Sequence, residues 1–592
     1  DSPENNFCTM NHLGRRYGQS YVSTFSEGSL KVTNADYSSN SNGNSTHNWG
    51  TMAINQIASE GGVYFEVRMD ALDTNRSYFG VIGDNGTDNK NTAAAGASYS
   101  FPIKAVLATS LYLTATTDTD GTSVDLRSGN TVFGNGEVAG VAIKSDGKLF
   151  IHREGTYLKD ASGNVGNPST GANPLATIDL TLGDYLPYVG YNSNFTLNFG
   201  QDPTFAGNET APGTDKNDAN GIGRFLFDVP TNYLAMCSSN MAEPTIGPNS
   251  DTKSSQHFAP KIYSASSGSA GAGSSTPQDI GGLDFKPDLV WIKGRSYTDH
   301  HILFDSSRGT GKYILPSTSN AEATQADTLD EFRDDGFGLG ADSTALVNYQ
   351  NNTYVSWNWK GGGGASSNSE GNLASNINAN TDAGFSIVTW TGNGNASVTL
   401  GHGLNSTPEL IIYKGLENTF SWPVWFKTFG TSSGFFLDVN NGAAAAGRVT
   451  SVPTPTVIGN VELNYTNTNT EGSVAYCFHS VEGYSKIGTY VANENADGPF
   501  IYTGFRPAFV VVKKIDTAHG WEVTDAARNT TNPLNKHLLW DTTAGDTTAD
   551  PYDFYANGFK LKTSGYTRNR VAGKVLLYMA FAEAPFKYAN AR

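Results

Sequence analysis

Short apolar runs separated by polar, glycine-rich segments recur along the whole chain of 592 residues. The segment Lys144–Lys148 contains the pair Asp146-Gly147, which is typical of the turn between two strands of a hairpin. Strands that recur about every 10–20 residues between polar turns predict an all-β chain that begins with a sandwich. In the first part of the chain these runs include 63–67, 78–82, 138–143, 149–152 and 195–200.

The rest of the chain contains an internal repeat that aligns on a proline. A buried strand is predicted after each proline, because proline cannot donate a hydrogen bond inside a ladder and so stands where a strand begins. The prolines are Pro287, Pro408 and Pro507. A lysine follows each of them by six positions, at Lys293, Lys414 and Lys513, and is predicted to mark where the chain leaves the core. The fourteenth positions hold His301, Trp422 and Trp521.

Two of the three repeats share further motifs. Asp305/Arg308 and Asp525/Arg528 form Asp-x-x-Arg, which we interpret as a local ion pair or turn brace in preference to a ligand site. The same two repeats contain Phe-x-x-[Asp/Asn]-Gly-Phe-x-Leu, at 332–339 and 554–561. The middle repeat lacks Asp-x-x-Arg and a clear Gly-Phe-x-Leu.

These patterns predict four domains: a β-sandwich at 1–245, followed by small β-sandwich modules at 246–364, 365–484 and 485–592. The run Gly361 to Gly364, followed by small polar residues, is typical of a linker. We therefore predict modules joined flexibly, in a beads-on-a-string array.

Charge and composition exclude several classes of partner. The formal net charge is −17, which disfavours binding to nucleic acid or to anionic lipid. No apolar run approaches the roughly 18–20 residues that span a membrane, so no membrane insertion is expected. Three cysteines are too few for a disulfide framework, and free, buried thiols are favoured, although a pair between Cys8 and Cys237 is left open.

Candidate catalytic and metal-binding motifs all have a simpler interpretation. Gly430–Gly434 matches Gly-x-Ser-x-Gly, but a strand is predicted after it where a nucleophile elbow requires a helix. Gly309–Lys312 lacks the first glycine and the Ser/Thr of a phosphate loop. The pair His300-His301 beside Asp299 is better explained as a surface loop than as a metal site. We predict no catalytic residues, no cofactor and no metal, and hence a non-enzymatic protein.

Three tryptophans are the candidate binding residues. Trp422, Trp425 and Trp521 lie in or next to predicted loops with polar or glycine neighbours, where they could stack on the faces of sugars. The alternative is that aromatic residues at one repeat position pack in the core or at its rim.

The segment Met579–Arg592 resembles the C-terminus of tail-fibre and appendage proteins of marine bacteriophages, and the segments 286–293 and 504–510 are similar to the same family. The N-terminal domain resembles the SPRY (lectin-like, concanavalin-type) sandwich through Gly62–Glu66, Tyr188–Gly190 and Leu197–Phe205. The resemblance implies an extracellular virion location, a homotrimer, contacts with other virion proteins and a role at the host surface.

Two functions remain open on this basis. One is attachment to a host cell-surface glycan or protein through loops on rigid β-modules, with weak contacts adding up to avidity. The other is a purely structural role as a fibre or filament spacer or a capsid decoration. A polysaccharide depolymerase is a third possibility, disfavoured because no catalytic set is present.

Overall fold

The structure is a computed structural model that describes residues 6–13, 23–34, 47–57, 60–73, 77–83, 103–108, 111–116, 124–180, 184–191, 193–266, 276–444, 449–460, 463–564, 566–570 and 574–588. The predicted all-β class is confirmed: the α-helices of these residues are two single turns, α1 (Leu463–Thr466) and α2 (Tyr566–Asn569). The chain forms two compact units, the first from 1–243 and 498–502 and the second from 244–497 and 503–592. The four domain boundaries given above remain predictions.

The first unit contains two sheets, which are antiparallel except for one short parallel strand. Its strands are β1 (Thr24–Ser26), β2 (Lys31–Thr33), β3 (His47–Trp49), β4 (Gly62–Ala71), β5 (Ser77–Gly83), β6 (Ile103–Leu107), β7 (Tyr112–Thr116), β8 (Val124–Asp125), β9 (Val138–Lys144), β10 (Lys148–Arg153), β11 (Thr156–Tyr157), β12 (Ala176–Thr177), β13 (Tyr185–Tyr191), β14 (Asn194–Asn198) and β15 (Tyr233–Ala235). Short 3-10 turns lie at Ile54–Gln56 and Ser238–Asn240.

One sheet has the order β1-β2-β14-β4-β9-β10-β11, with β12 beside β10 and β15 parallel to β4; the other has the order β3-β13-β5-β6-β7-β8. The predicted hairpin at Asp146-Gly147 is confirmed as the connection between β9 and β10, and Gly147 has the positive φ of 83° that such a turn requires. Successive residues of β4 point to opposite faces of the sheet, and both Tyr64 and Phe65 are fully buried. The central strand β4 is therefore covered on both faces.

The second unit contains the three repeats. The strands of the first module are β16 (Phe258–Ser264), β17 (Gln278–Ile280), β18 (Leu289–Gly294), β19 (Ile302–Asp305), β20 (Lys312–Tyr313), β21 (Ala323–Thr324), β22 (Leu329–Arg333), β23 (Gly336–Leu339) and β24 (Thr353–Trp359). Those of the middle module are β25 (Ser366–Asn368), β26 (Ser375–Asn380), β27 (Phe385–Thr391), β28 (Thr399–Gly401), β29 (Leu410–Gly415), β30 (Pro423–Phe426), β31 (Phe435–Phe436), β32 (Val457–Gly459) and β33 (Gly472–Phe478).

The remaining strands are β34 (Ser485–Val491), β35 (Phe500–Tyr502, which belongs to the first unit), β36 (Phe505–Lys514), β37 (Glu522–Asp525), β38 (Leu534–Leu539), β39 (Thr547–Tyr555), β40 (Gly558–Leu561) and β41 (Val575–Pro585). Two 3-10 turns lie at Ser254–Gln256 and Phe586–Tyr588.

Each repeat builds its main sheet in the same strand order. The three orders are β16-β24-β18-β19, β27-β33-β29-β30 and β34-β41-β36-β37. The register is also the same, because the fourth residue after each proline faces the same position of the closing strand. These pairs are Trp291 with Trp357, Ile412 with Tyr476, and Val511 with Met579.

The strands that follow the three prolines are buried on both faces of their sheets, which explains why each is continuously apolar and does not alternate. In β18, Val290 and Ile292 belong to a core that the first module forms with its smaller sheet β17-β23-β22. The residues between them face the other way: Leu289 and Trp291 belong to one core shared by all three modules. The corresponding strands β29 and β36 also contribute to that shared core, through Ile412 and Val511 among others.

The shared core corrects the expectation of flexibly joined beads. Phe258, Trp359 and Phe581, from the first and third modules, pack together with ring centroids 4.7–5.8 Å apart. The predicted linker is also fixed in place: the amide of Gly361 donates to Asp288 at 2.7 Å and that of Gly362 to Asn378 at 2.5 Å. These glycines permit close packing, because a Cβ atom at Gly362 would lie 2.3 Å from a backbone oxygen.

The outer edges of the three equivalent strands β16, β27 and β34 are closed in different ways. In an antiparallel pair, only every second residue of a strand is hydrogen-bonded to its partner strand. Pro260, Ile387 and Ile487 occupy the same register positions, and their backbone groups point away from the closing strand. Pro260 has no N–H to offer, Ile387 pairs with the additional strand β26, and the Ile487 amide and carbonyl bond to the side chains of Ser480 and Lys427. Each device blocks the pairing of an open edge with another chain.

Candidate functional site: the junctions between the modules

The lysine six positions after each proline lies at the contact between two modules, which we call a junction. Lys293, Lys414 and Lys513 are fully buried in β18, β29 and β36. This corrects the expectation that the lysine marks the exit from the core. A buried ammonium group requires acceptors for its three N–H donors, and its surroundings supply backbone carbonyls.

Lys414 shows the arrangement most fully. Its Nζ donates to the carbonyls of Asn418 and Phe420, at 3.2 and 2.7 Å, in the loop of its own module. The third bond goes to Ser319 O of the first module at 3.0 Å. Lys414 therefore holds its own loop and the neighbouring module together.

The other two lysines repeat this contact. Lys513 donates to Asn440 O of the middle module at 3.2 Å, and Lys293 donates to Thr543 O of the third module at 3.2 Å. Lys513 also bonds to His519 O of its own loop, and Lys293 bonds to the carbonyl of Gly294, the last residue of its own strand. Burial lowers the pKa of each of the three lysines to about 8.

A backbone hydrogen bond accompanies each lysine, and its acceptor is always the residue eight positions after the proline. The three bonds are Glu322 N to Leu416 O at 2.7 Å, Ala443 N to Ile515 O at 2.7 Å, and Asp546 N to Arg295 O at 2.8 Å. The middle module is thereby bonded to the first, the third to the middle, and the first to the third. The three junctions close a ring with internal pseudo-threefold repetition.

The residue fourteen positions after the proline crosses the same junctions. The contacts are Trp422 Nε1 to Thr318 O at 2.9 Å, Trp521 Nε1 to Phe436 O at 3.2 Å, and His301 Nε2 to Leu539 O at 2.9 Å. Because Nδ1 of His301 accepts a bond from Trp291, its Nε2 carries the proton and donates. A histidine thus takes the place of a tryptophan N–H donor.

The Asp-x-x-Arg motif forms the predicted ion pair, and its aspartate also receives a bond across a junction. Asp305 and Arg308 are 2.6 Å apart and fully or almost fully buried, and the Tyr476 hydroxyl of the middle module donates to the same carboxylate oxygen at 2.7 Å. Asp525 and Arg528 form the equivalent pair, also at 2.6 Å, and the Asp525 carboxylate accepts the N–H of Trp357 from the first module. An acidic residue of the same module completes each group: Glu322 beside Arg308, and Asp546 beside Arg528.

At the junction between the middle and third modules, every member of this polar group is replaced by an apolar residue. Phe426, Phe429 and Ala443 stand in the middle module where the first has Asp305, Arg308 and Glu322. The residue at the position of Tyr476 and Trp357 is Met579 in the third module. All four lie in the shared core or pack against it, so at this position the junction is apolar on both sides.

The tryptophans predicted to contact a glycan lie in the core. Trp422, Trp425 and Trp521 are 0%, 1% and 1% exposed, so their faces cannot stack on a sugar, and the core-packing alternative describes them. Trp422 and Trp521 belong to the junctions, whereas Trp425 packs in the middle module's own core and bonds to Gly430 O. The shared place of Trp422 and Trp521 in the repeat was the signal for a structural role.

The other candidate motifs also have structural surroundings. His301 is buried, with both ring nitrogens bonded, and no cluster of potential metal ligands occurs among the residues that the structure describes. After Gly430–Gly434 the chain continues into strand β31, as expected for a turn. The cysteines Cys8, Cys237 and Cys477 are free and buried. None of the helices found in the described ranges is long and apolar enough to cross a membrane.

Comparison with known proteins gives one family. No curated protein matches the chain. The family model described as a domain of unknown function, DUF7483, matches residues 253–585, which is more than half of the chain and covers all three repeats. The chain therefore belongs to the DUF7483 family.

Proposed function

We propose that the chain is a non-enzymatic, structural protein of a virion appendage, in which the ring of three modules acts as a rigid block. The observation that carries the structural role is the closed ring of buried junctions, since each module is bonded to both others. The virion and extracellular location rests on the resemblance of Met579–Arg592 and of segments 286–293 and 504–510 to phage tail-fibre proteins.

The burial of the tryptophans favours a spacer over an adhesin. The indole N–H groups of Trp422 and Trp521 donate to carbonyls of neighbouring modules, and these bonds stiffen the block. A block without separately unfolding parts transmits force and fixes length, which is what a fibre segment or a capsid decoration requires.

Immunogold electron microscopy tests the proposed location. Antibodies raised against the chain are expected to label an external appendage of the virions that encode it, and virions without external label would contradict the proposal. The purified chain is further expected to show no saturable binding to host cells or to a bacterial glycan array.

Replacement of Trp422 by Ala separates the structural role from binding. We expect the second unit to lose about 3–5 kcal/mol of stability, the usual cost of emptying a buried tryptophan site. Phe420→Ala, at a 44% exposed residue of the same loop, is the matched control and should change stability little. If Trp422→Ala instead kept its stability and lost a measurable glycan affinity, the spacer proposal would fail.

Self-association as a homotrimer remains part of the proposal. The internal ring closes within one chain, so it needs no second copy. Light scattering on the eluted protein distinguishes a mass of 63.0 kDa from three times that value, and a stable monomer would remove the homotrimer from the proposal.

Attachment to a host glycan or surface protein is a second candidate, favoured by an aromatic pair in which one ring is exposed. Tyr349 is 37% exposed, and its ring lies 5.7 Å from that of Tyr297, beside Ser296 and Asn352, which bond to each other. The positions equivalent to Tyr297 are Asn and Thr in the other modules, so the repeat does not require this tyrosine. Saturable glycan binding lost in Tyr349→Ala, but kept in Phe420→Ala, would establish this candidate.

A further inference from the structure

One carboxylate in the first unit holds an irregular segment against the sheet. Glu66 lies on the central strand β4 and is fully buried. Its Oε1 accepts bonds from the Phe227 amide at 2.8 Å and the Tyr64 hydroxyl at 3.1 Å. Its Oε2 accepts bonds from the Leu226 amide and the Asn198 side chain, both at 3.0 Å.

The donor direction of the Tyr64 hydroxyl is fixed by two further hydrogen bonds, through His152 and Gly155. The amide of Gly155 donates to Nδ1 of His152, so Nε2 carries the proton and donates to the Tyr64 hydroxyl at 2.8 Å. The Tyr64 proton is thereby directed to Glu66. The side chains of His152 and Tyr64 lie over Gly140, where a Cβ atom would be 2.0 Å from His152 Nε2. A larger residue at this position would therefore displace these two side chains.

The segment that the carboxylate holds, residues 225–227, covers one face of the sheet. Phe225 packs edge-on against Tyr64 with ring centroids 5.1 Å apart, and the Phe227 ring lies 5.0 Å from that of His152. Apart from the bridge of Phe225 with Lys216, this segment has no strand pairing of its own. The amides of Leu226 and Phe227 bond to Glu66, which makes this carboxylate the anchor of the segment.

We propose that Glu66 is an acid-sensitive latch: ionised, it holds residues 225–227 against β4, and protonated, it releases them. Each oxygen already accepts two bonds, and at Oε2 both neighbours are N–H donors that cannot accept a proton. A hydrogen added there necessarily displaces a donor. The step needs only a solvent proton, which is taken up by the carboxylate.

Among the titratable groups around the held segment, Glu66 is the one that changes its charge near neutral pH. Burial raises its pKa to about 7 in spite of the four donors. Burial lowers the pKa of His152 to about 4, so the ring stays neutral, and burial raises the pKa values of Tyr64 and Tyr157 further above the ordinary tyrosine value. On the held segment, Asp228 is paired with Lys216, and Arg224 lies beside Asp215.

Hydrogen exchange of the full chain, resolved to single amides, tests the latch. Between pH 8 and pH 5, the protection factors of Leu226 and Phe227 are expected to fall by about 10- to 100-fold, as for loss of a bond to a charged acceptor. The amide of Leu197 in the same sheet, which bonds to Leu30 O, is the internal control and should keep its protection factor.

Two variants complete the test. Glu66→Gln should show the low protection of Leu226 and Phe227 at every pH, and Tyr64→Phe should move the midpoint of release to higher pH by removing one donor to the ionised form. Protection that is independent of pH in the native chain would overturn the proposal. Wild-type protection in a folded Glu66→Gln chain would overturn it as well.

Discussion

The polar junction between the first and middle modules can be tested by exchanging it for the apolar junction that the chain already contains. Asp305→Ala would leave the buried guanidinium of Arg308 with Glu322 alone, and the buried hydroxyl of Tyr476 without its acceptor. The Asp305 and Glu322 charges raise the pKa of Arg308, so it is fully charged. Breaking a buried pair from one side costs about 3–5 kcal/mol.

Replacing the whole group should recover most of that loss. The fourfold variant Asp305→Phe, Arg308→Phe, Glu322→Ala and Tyr476→Met installs the residues found at Phe426, Phe429, Ala443 and Met579. No buried charge or hydroxyl is then left without a partner, and apolar replacement of a buried ionic group is often neutral or stabilising. We expect the fourfold variant to lie within about 2 kcal/mol of the native chain, the range of packing errors in a redesigned core.

Urea unfolding followed by tryptophan fluorescence is a selective assay, because eight of the nine tryptophans lie in the second unit. Glu331→Ala, at the exposed pair with Arg333, is the control and should change stability by less than about 0.5 kcal/mol. A loss below about 1 kcal/mol for Asp305→Ala would refute the description of a buried pair. A fourfold variant no more stable than Asp305→Ala would refute the equivalence of the junctions.

Three further outcomes follow from the same contacts. Lys414→Met should cost the second unit about 2–4 kcal/mol, because three carbonyls lose their donor, and Lys253→Met at an exposed lysine provides the calorimetric control. The pKa of the three junction lysines is about 8 when folded and 10.5 when unfolded, so the folded state binds fewer protons between these values. Stability should therefore rise from about pH 8 to about pH 9.5, by up to about 1.4 kcal/mol per pH unit and lysine, and urea titrations showing a fall would contradict this. Pro260→Thr restores an outward N–H on β16 and should increase self-association in sedimentation velocity, whereas Ile262→Thr, at a 44% exposed residue of the same strand, keeps Pro260 and should not.

The sequence was sufficient to predict the strands but not their partners. A continuous apolar run after Pro287, Pro408 or Pro507 indicates burial on two faces, and the second face could be covered by the same module or by another. The lysine after each run was misleading for the same reason. A charged residue after an apolar strand normally reaches water, and only the loop carbonyls and the neighbouring module together make its burial possible.

The linker prediction was wrong for a different physical reason. A run of glycines from Gly361 to Gly364 has the composition of a flexible segment. Glycine also occurs where the backbone must pack closely against neighbouring atoms, and composition does not distinguish the two cases. Here Gly361 and Gly362 bring the backbone against Asp288, Asn378 and Ala379. The prediction that the tryptophans contact a glycan was wrong because tryptophans with polar sequence neighbours can still point inward, as Trp422 and Trp521 do.

The mixture of polar and apolar junctions specifies the order of the modules in the ring. If the middle and third modules exchanged places, Asp305 would face Met579, and the Trp357 N–H would face Phe426. The first contact would leave a buried carboxylate without its hydroxyl donor, and the second an indole N–H without an acceptor. The exchange would bring the Tyr476 hydroxyl to the Asp525 carboxylate, but each of the two unpaired groups would still cost about 1–3 kcal/mol. We therefore expect these unpaired groups to disfavour the alternative order of the three modules around the ring. The departures of the middle module from the repeat distinguish its junctions from those of the other two modules.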